Sequence, residues 1–328
     1  MRWSEPALLS AAAFAVSCCA TAWARAHARR RGLVDLPGER RSHDLPTPRG
    51  GGIGIAVAAL GAAVWLAWVN DGGWAWVALG LVLVAGAGWW DDHRPLPAWP
   101  RLLAHAAAGA CLAAGTLHAG APMGAALVAL LLVPVLVNVW NFIDGIDGLA
   151  TSQALLAALA LGWALDGAGR LLALAVAAAC AGFLPFNFPK ARIFLGDVGS
   201  GALGYLLAAL VVIGLSSRPL AAWPVLLLPL SICLVDAGLT LARRVARREP
   251  WWQPHVQHLY QRLARHLGHP RVTLAYAGWT ALAIGIMLGL LRVPADRAWV
   301  GAAVFSGLSM AAWLRLQRRL GNGSEGIV

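Results

Sequence analysis

Charge is what this sequence has least of: of 328 residues only 12% are Asp, Glu, Lys or Arg, while 59% are hydrophobic. So thin a polar complement excludes an ordinary soluble domain, and apolar windows of membrane-spanning length recur from end to end. The runs lack the alternation of barrel strands, and in lipid every backbone polar group must be satisfied internally, so the spans are helices. The five cysteines (Cys18, Cys19, Cys111, Cys180, Cys233) lack metal-ligand spacing and sit in apolar segments, where they read as small core residues. No internal repeat and no soluble insertion divides the chain, so residues 1–328 read as one integral membrane domain.

The expected fold class is therefore all-α, a polytopic helical bundle of ten or eleven spans. They are drawn at roughly 4–24, 50–69, 74–90, 101–118, 121–138, 149–165, 170–187, 201–215, 221–241, 272–291 and 298–314. With the N-terminus outside, all but five of the 26 basic residues fall on the inside, the exceptions being Arg2, Arg170, Arg218, Arg292 and Arg297. The positive-inside rule then sets the N-terminus out and the C-terminus in. Ala26-His27-Ala28 mimics a leader cleavage site, but the basic cluster follows the apolar run instead of preceding it, which predicts an uncleaved first helix. On this topology the net charge of +11 reflects orientation and attraction to anionic lipid, not nucleic-acid binding.

Acidic residues are scarcer still, and their distribution is uneven. All but four of the fifteen (Glu5, Asp71, Asp166, Asp296) lie on the predicted inside. Asp91, Asp92, Asp144, Asp147, Asp197 and Asp236 sit at or just within the inside ends of spans, where a carboxylate is costly unless used or paired.

Four stretches carry candidate chemistry. In "GWWDDHRPLP" the side chains of Asp91 and Asp92 point about 100° apart on a helix, so they cannot form a single clamp; a helix end reaching interfacial water would give the same pattern. In "NVWNFIDGIDGLA", Asn138, Asn141, Asp144 and Asp147 recur every third residue beside Gly145 and Gly148. Two carboxylates and two amides suit a Mg²⁺ shell or a ribose hydroxyl pair, or a bland polar helix end. In "FPKARIFLGDVGSGALGY", Asp197 is expected in a glycine turn beside a helix N-terminus whose free N–H groups favour phosphate, with Ser200 as a cap and Lys190 and Arg192 placed to neutralise a diphosphate. In "EPWWQPHVQHLYQRLARHLGHPR", His255, His258, His266 and His269 share a loop with Arg262 and Arg265. Zinc spacing is absent there, leaving phosphate recognition or contact with lipid headgroups. Hard acidic ligands, basic loops and a glycine turn on one membrane face together describe metal-assisted phosphoryl transfer between a lipid and a cytoplasmic substrate.

Taken in order, the motifs resemble those of the polyprenyl-phosphate N-acetylhexosamine-1-phosphate transferase family, which includes phospho-N-acetylmuramoyl-pentapeptide transferase. The resemblance runs from about Gly32 to Arg271. It rests on "GLVDLPGERRSHDLPTPRGGGIGI", "DDHRPLP", "NVWNFIDGIDGLA", "IFLGDVGS" and "PHVQHLYQRL". The resemblance implies an enzyme of the inner (cytoplasmic) membrane with its site on the cytoplasmic side. A polyprenyl phosphate attacks the sugar-linked phosphorus of a UDP-N-acetylhexosamine and releases UMP, with Mg²⁺, or Mn²⁺ in its place. It further implies that Asp197 is the principal metal ligand, with Asp92 and Asp147 also in the metal set. Asp91 and Asp92 orient or deprotonate the lipid phosphate, and Asn141, Asp144 and Asp147 serve the nucleotide sugar and metal. Phe194 stacks on uracil, and His258, with His255 in the same loop, contacts the diphosphate.

Muramoyl enzymes carry consecutive histidines where this chain has Tyr260 and Gln261 after His258 and Leu259. That departure favours the branch that begins O-antigen and other envelope glycans. Sugar selectivity is expected in the loop 249–270. A CDP-alcohol phosphatidyltransferase would need Ala-Arg after the Asp-Gly and two later carboxylates, whereas Thr151 follows Ala150 here. A transporter would place acids near the midplane with polar groups on both sides. Neither the particular N-acetylhexosamine nor formation of a homodimer is decided by the sequence.

Overall fold

The computed structural model describes residues 4–35, 46–70, 73–219, 222–250, 253 and 255–322. Long apolar runs become long helices, even where Pro134 and Pro185 lie inside two of them: α1 (Ser4–Arg31), α2 (Ile53–Val69), α3 (Trp74–His93), α4 (Ala98–His118), α5 (Met123–Ile143), α6 (Leu149–Ala164), α7 (Gly167–Asn187) and α8 (Gly196–Ser216). The C-terminal third adds α9 (Trp223–Leu226), α10 (Ser231–Ala246), α11 (Leu259–Leu267), α12 (His269–Leu290) and α13 (Ala295–Asn322). Seven of these are long and apolar enough to cross a membrane, and α2 and α6 are shorter apolar helices. The protein is thus an all-α polytopic membrane protein.

Two expectations need adjustment. The run drawn as one span at 221–241 is broken into α9, a single 3-10 turn (Leu228–Leu230) and α10. Pro224 and Pro229 explain the break, since each removes an N–H and crowds the preceding turn. The loop after α1 also holds a two-residue antiparallel ladder, β1 (Val34–Asp35) with β2 (Thr47–Pro48). The motif residues 36–45 lie outside the described residues.

Helix α8 is the hub, with 94% of its span buried against α2, α3, α5 and their neighbours, while α1 and α13 are only 22% buried and form the rim. Lipid offers no hydrophobic drive for helix association, so close packing must supply it. Gly88 of α3 makes this possible beside α8, where an added Cβ would lie 2.3 Å from the Asp197 carbonyl oxygen. That close approach, one turn before Asp91, brings the carboxylates of α3 and α8 together.

The topology has a direct test. A cysteine placed beside Asp166 should react with an impermeant thiol reagent added outside intact cells, and one beside Arg248 should react only after permeabilisation. The reverse pattern would invert every statement about membrane sides.

Candidate active site

The ends of α3 and α5 and the start of α8 converge. Strand β2 runs on into the turn before α8: Phe194 N–H donates to Pro48 O (2.8 Å), Gly51 N–H to Phe194 O (2.9 Å) and Gly52 N–H to Leu195 O (2.8 Å). This ladder fixes Gly196 at φ +75°, a left-handed conformation only glycine holds without strain. A Cβ there would also stand 2.6 Å from Asp92 Oδ2.

The first N–H groups of α8 are not open to an anion, contrary to the sequence reading. Asp92 accepts from Asp197 N–H (3.0 Å) and Val198 N–H (3.1 Å), and Asp144 accepts from Gly196 N–H. A cap of this kind is worth about 0.5–2 kcal/mol. Ser200 does not cap the helix; it lies inside α8 with its hydroxyl buried and, among the described residues, unpartnered. Arg49 donates to the Asp92 carbonyl.

Asp91, one residue earlier and rotated away from Asp92, accepts from Leu96 N–H (2.5 Å) and Arg101 Nη1 (3.1 Å). Its carboxyl group is also in hydrogen-bonding contact with that of Asp197. Asn141 Nδ2 donates to Asp197 Oδ1. Asp91, Asp197 and Asn141 therefore form one knot, with Asp144 at its edge. Burial, then the fields of Asp92 and Asp147, push Asp144 up to about 7.

Asp147 stands apart from the knot. Helix α5 stops at Ile143, and the glycine turn carries Asp147 to the start of α12, where it faces His269 Nδ1 at 3.4 Å and its carbonyl accepts from Thr273 Oγ1 at 2.8 Å. Asn138 is turned back onto the Pro134 carbonyl (2.8 Å). Lys190 is exposed, and Arg192 is turned onto the Pro185 carbonyl and the Phe186 ring.

His258 is buried at the start of α11, its ring stacked between those of Phe142 (5.8 Å) and Tyr260 (5.7 Å) and tilted against His255 (4.8 Å). Its Nδ1 is buried without a partner among the described residues. Burial holds His258 below the usual histidine range against the pull of Asp236, and burial, then His258 and Arg244, bring His255 down to about 4. Both rings are neutral at pH 7 and meet a ligand as hydrogen-bonding groups, not as cations. Because the folded value of His255 lies below its ordinary 6.5, its contribution to stability is full above about 6.5 and is lost as pH falls toward 4. Melting of the detergent-solubilised protein should therefore decline over that window, less steeply for His255→Gln. Identical slopes would mean that this ring is not buried as described.

Sequence reasoning missed several residues that build the site. Arg49 lies in the first quoted motif, where nothing gives it a role, and Arg101 has no motif around it beyond being basic. Asn187 bridges two motif turns, accepting from Gly148 N–H (3.0 Å) and donating to Ile193 O (3.1 Å); an asparagine at the end of an apolar run was the available signal. Asp236 stands out in the sequence as a span-end carboxylate but without a role; it is buried and accepts from Leu259 N–H (2.8 Å), Tyr260 N–H (3.1 Å), Tyr276 Oη (2.9 Å), Trp313 Nε1 (3.0 Å) and Thr240 Oγ1 (3.4 Å). It caps α11 and so places His258.

Two cavities meet at the knot, sharing Asn141, Asp144 and Asp197. One, of about 360 Å³, runs along α3, α4 and α5 past Val84, Ala87, Leu102 and Val137 to His255 and His258. The other, of about 640 Å³, is bounded by Asp35, Arg49, Phe194, Arg265 and His269 and also takes in Asp92 and Asp147.

Fold and site together define a polytopic membrane protein with a carboxylate-lined cleft at one end of its bundle, where two cavities meet. The Glycosyl transferase family 4 profile matches residues 74–215. A decaprenyl-phosphate N-acetylglucosaminephosphotransferase of Mycobacterium tuberculosis is 31% identical, over 93% of this chain and 88% of its own length. A probable undecaprenyl-phosphate N-acetylglucosaminyl 1-phosphate transferase of Bacillus subtilis is 28% identical over 71% of this chain and 70% of its own. A phospho-N-acetylmuramoyl-pentapeptide-transferase of Heliobacterium modesticaldum is 36% identical over half of each chain. The chain belongs to the polyprenyl-phosphate N-acetylhexosamine-1-phosphate transferase family.

Proposed function

We propose that this protein transfers an N-acetylhexosamine 1-phosphate from a UDP-sugar to a polyprenyl phosphate at the cytoplasmic face of the inner membrane. The lipid phosphate oxygen bonds to the sugar-linked phosphorus, the bond to the uridine-bearing phosphate breaks, UMP leaves and a polyprenyl diphosphate sugar remains. The observation that carries this reading is the meeting of the two cavities at Asn141, Asp144 and Asp197. The cavity along α3 to α5 suits a lipid phosphate whose chain stays among apolar side chains. The larger one suits a nucleotide diphosphate, with Phe194 for the base and Arg49 and Arg265 for the phosphates. The relatives that cover most of the chain carry N-acetylglucosamine in their names, which favours that sugar. Their polyprenyl-linked product makes this the first membrane step of an envelope glycan, O-antigen among the candidates.

The donor set fits Mg²⁺. Among the described residues no group of three or more His, Cys, Asp and Glu is arranged to hold a metal. Mg²⁺, however, is usually held by one or two carboxylates together with substrate phosphates and waters. Asp91 and Asp197 are acceptor-only when ionised, so their contact requires a proton or a cation between them. Asp197 would be the main ligand with Asp91 beside it, and the cation would neutralise the diphosphate as the leaving phosphate gains charge. Asp92 and Asp147, placed in the metal set by resemblance, line the same cavity, Asp92 with both oxygens already on backbone N–H groups and Asp147 facing His269. Arg101 orients Asp91, Asn141 orients Asp197, and the neutral His258 offers a hydrogen bond to the substrate phosphates.

Purified protein should release labelled UMP from UDP-N-acetylglucosamine only when polyprenyl phosphate is supplied. Release without the lipid, or none with any UDP-N-acetylhexosamine, would sink the proposal.

A further inference from the structure

Behind α11, on the side turned from the carboxylate knot, lies a second cavity of about 290 Å³. Its walls come from three helices, each contributing residues spaced one turn apart: Thr240, Arg243 and Arg247 from α10, Arg262 and Arg265 from α11, Trp313 and Gln317 from α13. Four arginines, Arg243 and Arg262 half-buried and Arg247 and Arg265 exposed, thus border one space that no carboxylate lines. Among the described residues none of the four has an ion-pair partner, the nearby Glu249 being taken by Arg244 at 2.9 Å. Arg262 is held in place by Gln317 Oε1, and burial, then the fields of Arg243 and Arg265, lower its pKa. Topological bias toward basic inside loops explains why the arginines are on this end, but not why four of them border one cavity.

We propose that this cavity is a binding site for the phosphate headgroup of an anionic phospholipid, separate from the reaction cleft and coupled to it through α11. A phosphate group supplies the missing negative charge, and arginine forks suit its oxygens. A lipid is the source that fits the surroundings, because the flank of α13 beside Trp313 exposes Leu314, an apolar group able to lie along an acyl chain. Arg265 and Val256 border both this cavity and the larger reaction cavity, so an occupant here braces the helix that carries His258.

The test uses the full-length protein in phosphatidylcholine nanodiscs containing a minor fraction of phosphatidylglycerol, with retained lipid counted by native mass spectrometry. Wild type should keep one phosphatidylglycerol that Arg243→Gln/Arg262→Gln binds about thirtyfold more weakly, as losing roughly 1 kcal/mol for each of two basic groups implies. Arg243→Gln/Arg247→Gln, confined to α10, should show the same loss if the first pair perturbs folding. Arg29→Gln/Arg30→Gln removes the same charge from the exposed end of α1 and should keep the lipid. Equal loss in all three variants, or in none, overturns the site. Retention of inorganic phosphate in place of the lipid, with the same dependence on Arg243 and Arg262, overturns the lipid as its occupant.

Discussion

Replacing Asp197 by Asn should reduce UMP release by about 10³-fold, some 4 kcal/mol, while leaving the protein folded and inserted. The substitution removes a charge with little change in volume at the centre of the knot, where Asp197 meets Asp91 and accepts from Asn141. Excess chelator on the wild type should produce the same loss, with Mg²⁺ or Mn²⁺ restoring the rate; full turnover in chelator would remove the metal from the proposal. The α3 aspartates should behave differently from Asp197 and from each other. Asp92 has both oxygens on backbone N–H groups of α8, so Asp92→Asn should show first as a lower melting temperature. Asp91 touches Asp197 and Arg101, so Asp91→Asn should act on turnover. The second pKa of a phosphate monoester is near 6, so the lipid nucleophile is mostly ionised at neutral pH. If Asp91 serves mainly as a base, raising the pH should recover part of its loss, whereas no pH should recover Asp197→Asn. Rates of the three variants across pH at saturating Mg²⁺ decide the matter. Near-wild-type activity of Asp197→Asn would refute its assignment as ligand.

The second large effect is expected at Asp236, which does not border the reaction cavities and acts as a positioning residue. Five donors converge on its carboxylate, two of them the N–H groups that open α11. An amide at this position turns its own N–H₂ toward those donors, and each buried donor left unpaired costs about 1–3 kcal/mol. Asp236→Asn should therefore loosen α11 by about 3 kcal/mol or more, displace His258 and lower kcat/KM by about 10²-fold. Hydrogen exchange separates this from general destabilisation, since amides of 259–267 should exchange faster while those of α8 stay protected. Unchanged exchange across 259–267 together with unchanged turnover would rule out the positioning role.

Much of the site was legible because its chemistry is concentrated in short segments. In a chain with 12% charged residues, carboxylates at span ends stand out, and that alone selected Asp91, Asp92, Asp144, Asp147, Asp197 and Asp236. Spacing was a poorer guide. Asn138, Asn141, Asp144 and Asp147 look like one helical flank, but α5 ends at Ile143: Asn141 and Asp144 stay at the knot, while Asn138 turns back onto Pro134 and Asp147 goes to His269. Phosphate binding at the α8 N-terminus also misled, because the residues that occupy those N–H groups come from 105 positions earlier and from the end of α5. Lys190 and Arg192 are near Asp197 in sequence yet point elsewhere, while Arg49 and Arg101 reach the site from distant segments.

The sequence by itself determined the features that depend on composition and local order. The chain is helical because lipid leaves backbone groups no other partner, its helices lie where apolar runs are long enough, and its chemistry sits where rare carboxylates interrupt them. Only the tertiary structure decided which carboxylate does what. A cap, a ligand and a positioning residue are the same side chain chemically, and they differ in whether the donors facing them are backbone N–H groups, another carboxyl group or the start of a distant helix. Those donors arrive through the packing of α3, α5, α8, α10 and α11, made possible by contacts such as Gly88 against Asp197, and contacts between residues a hundred positions apart leave no periodicity in the chain to read.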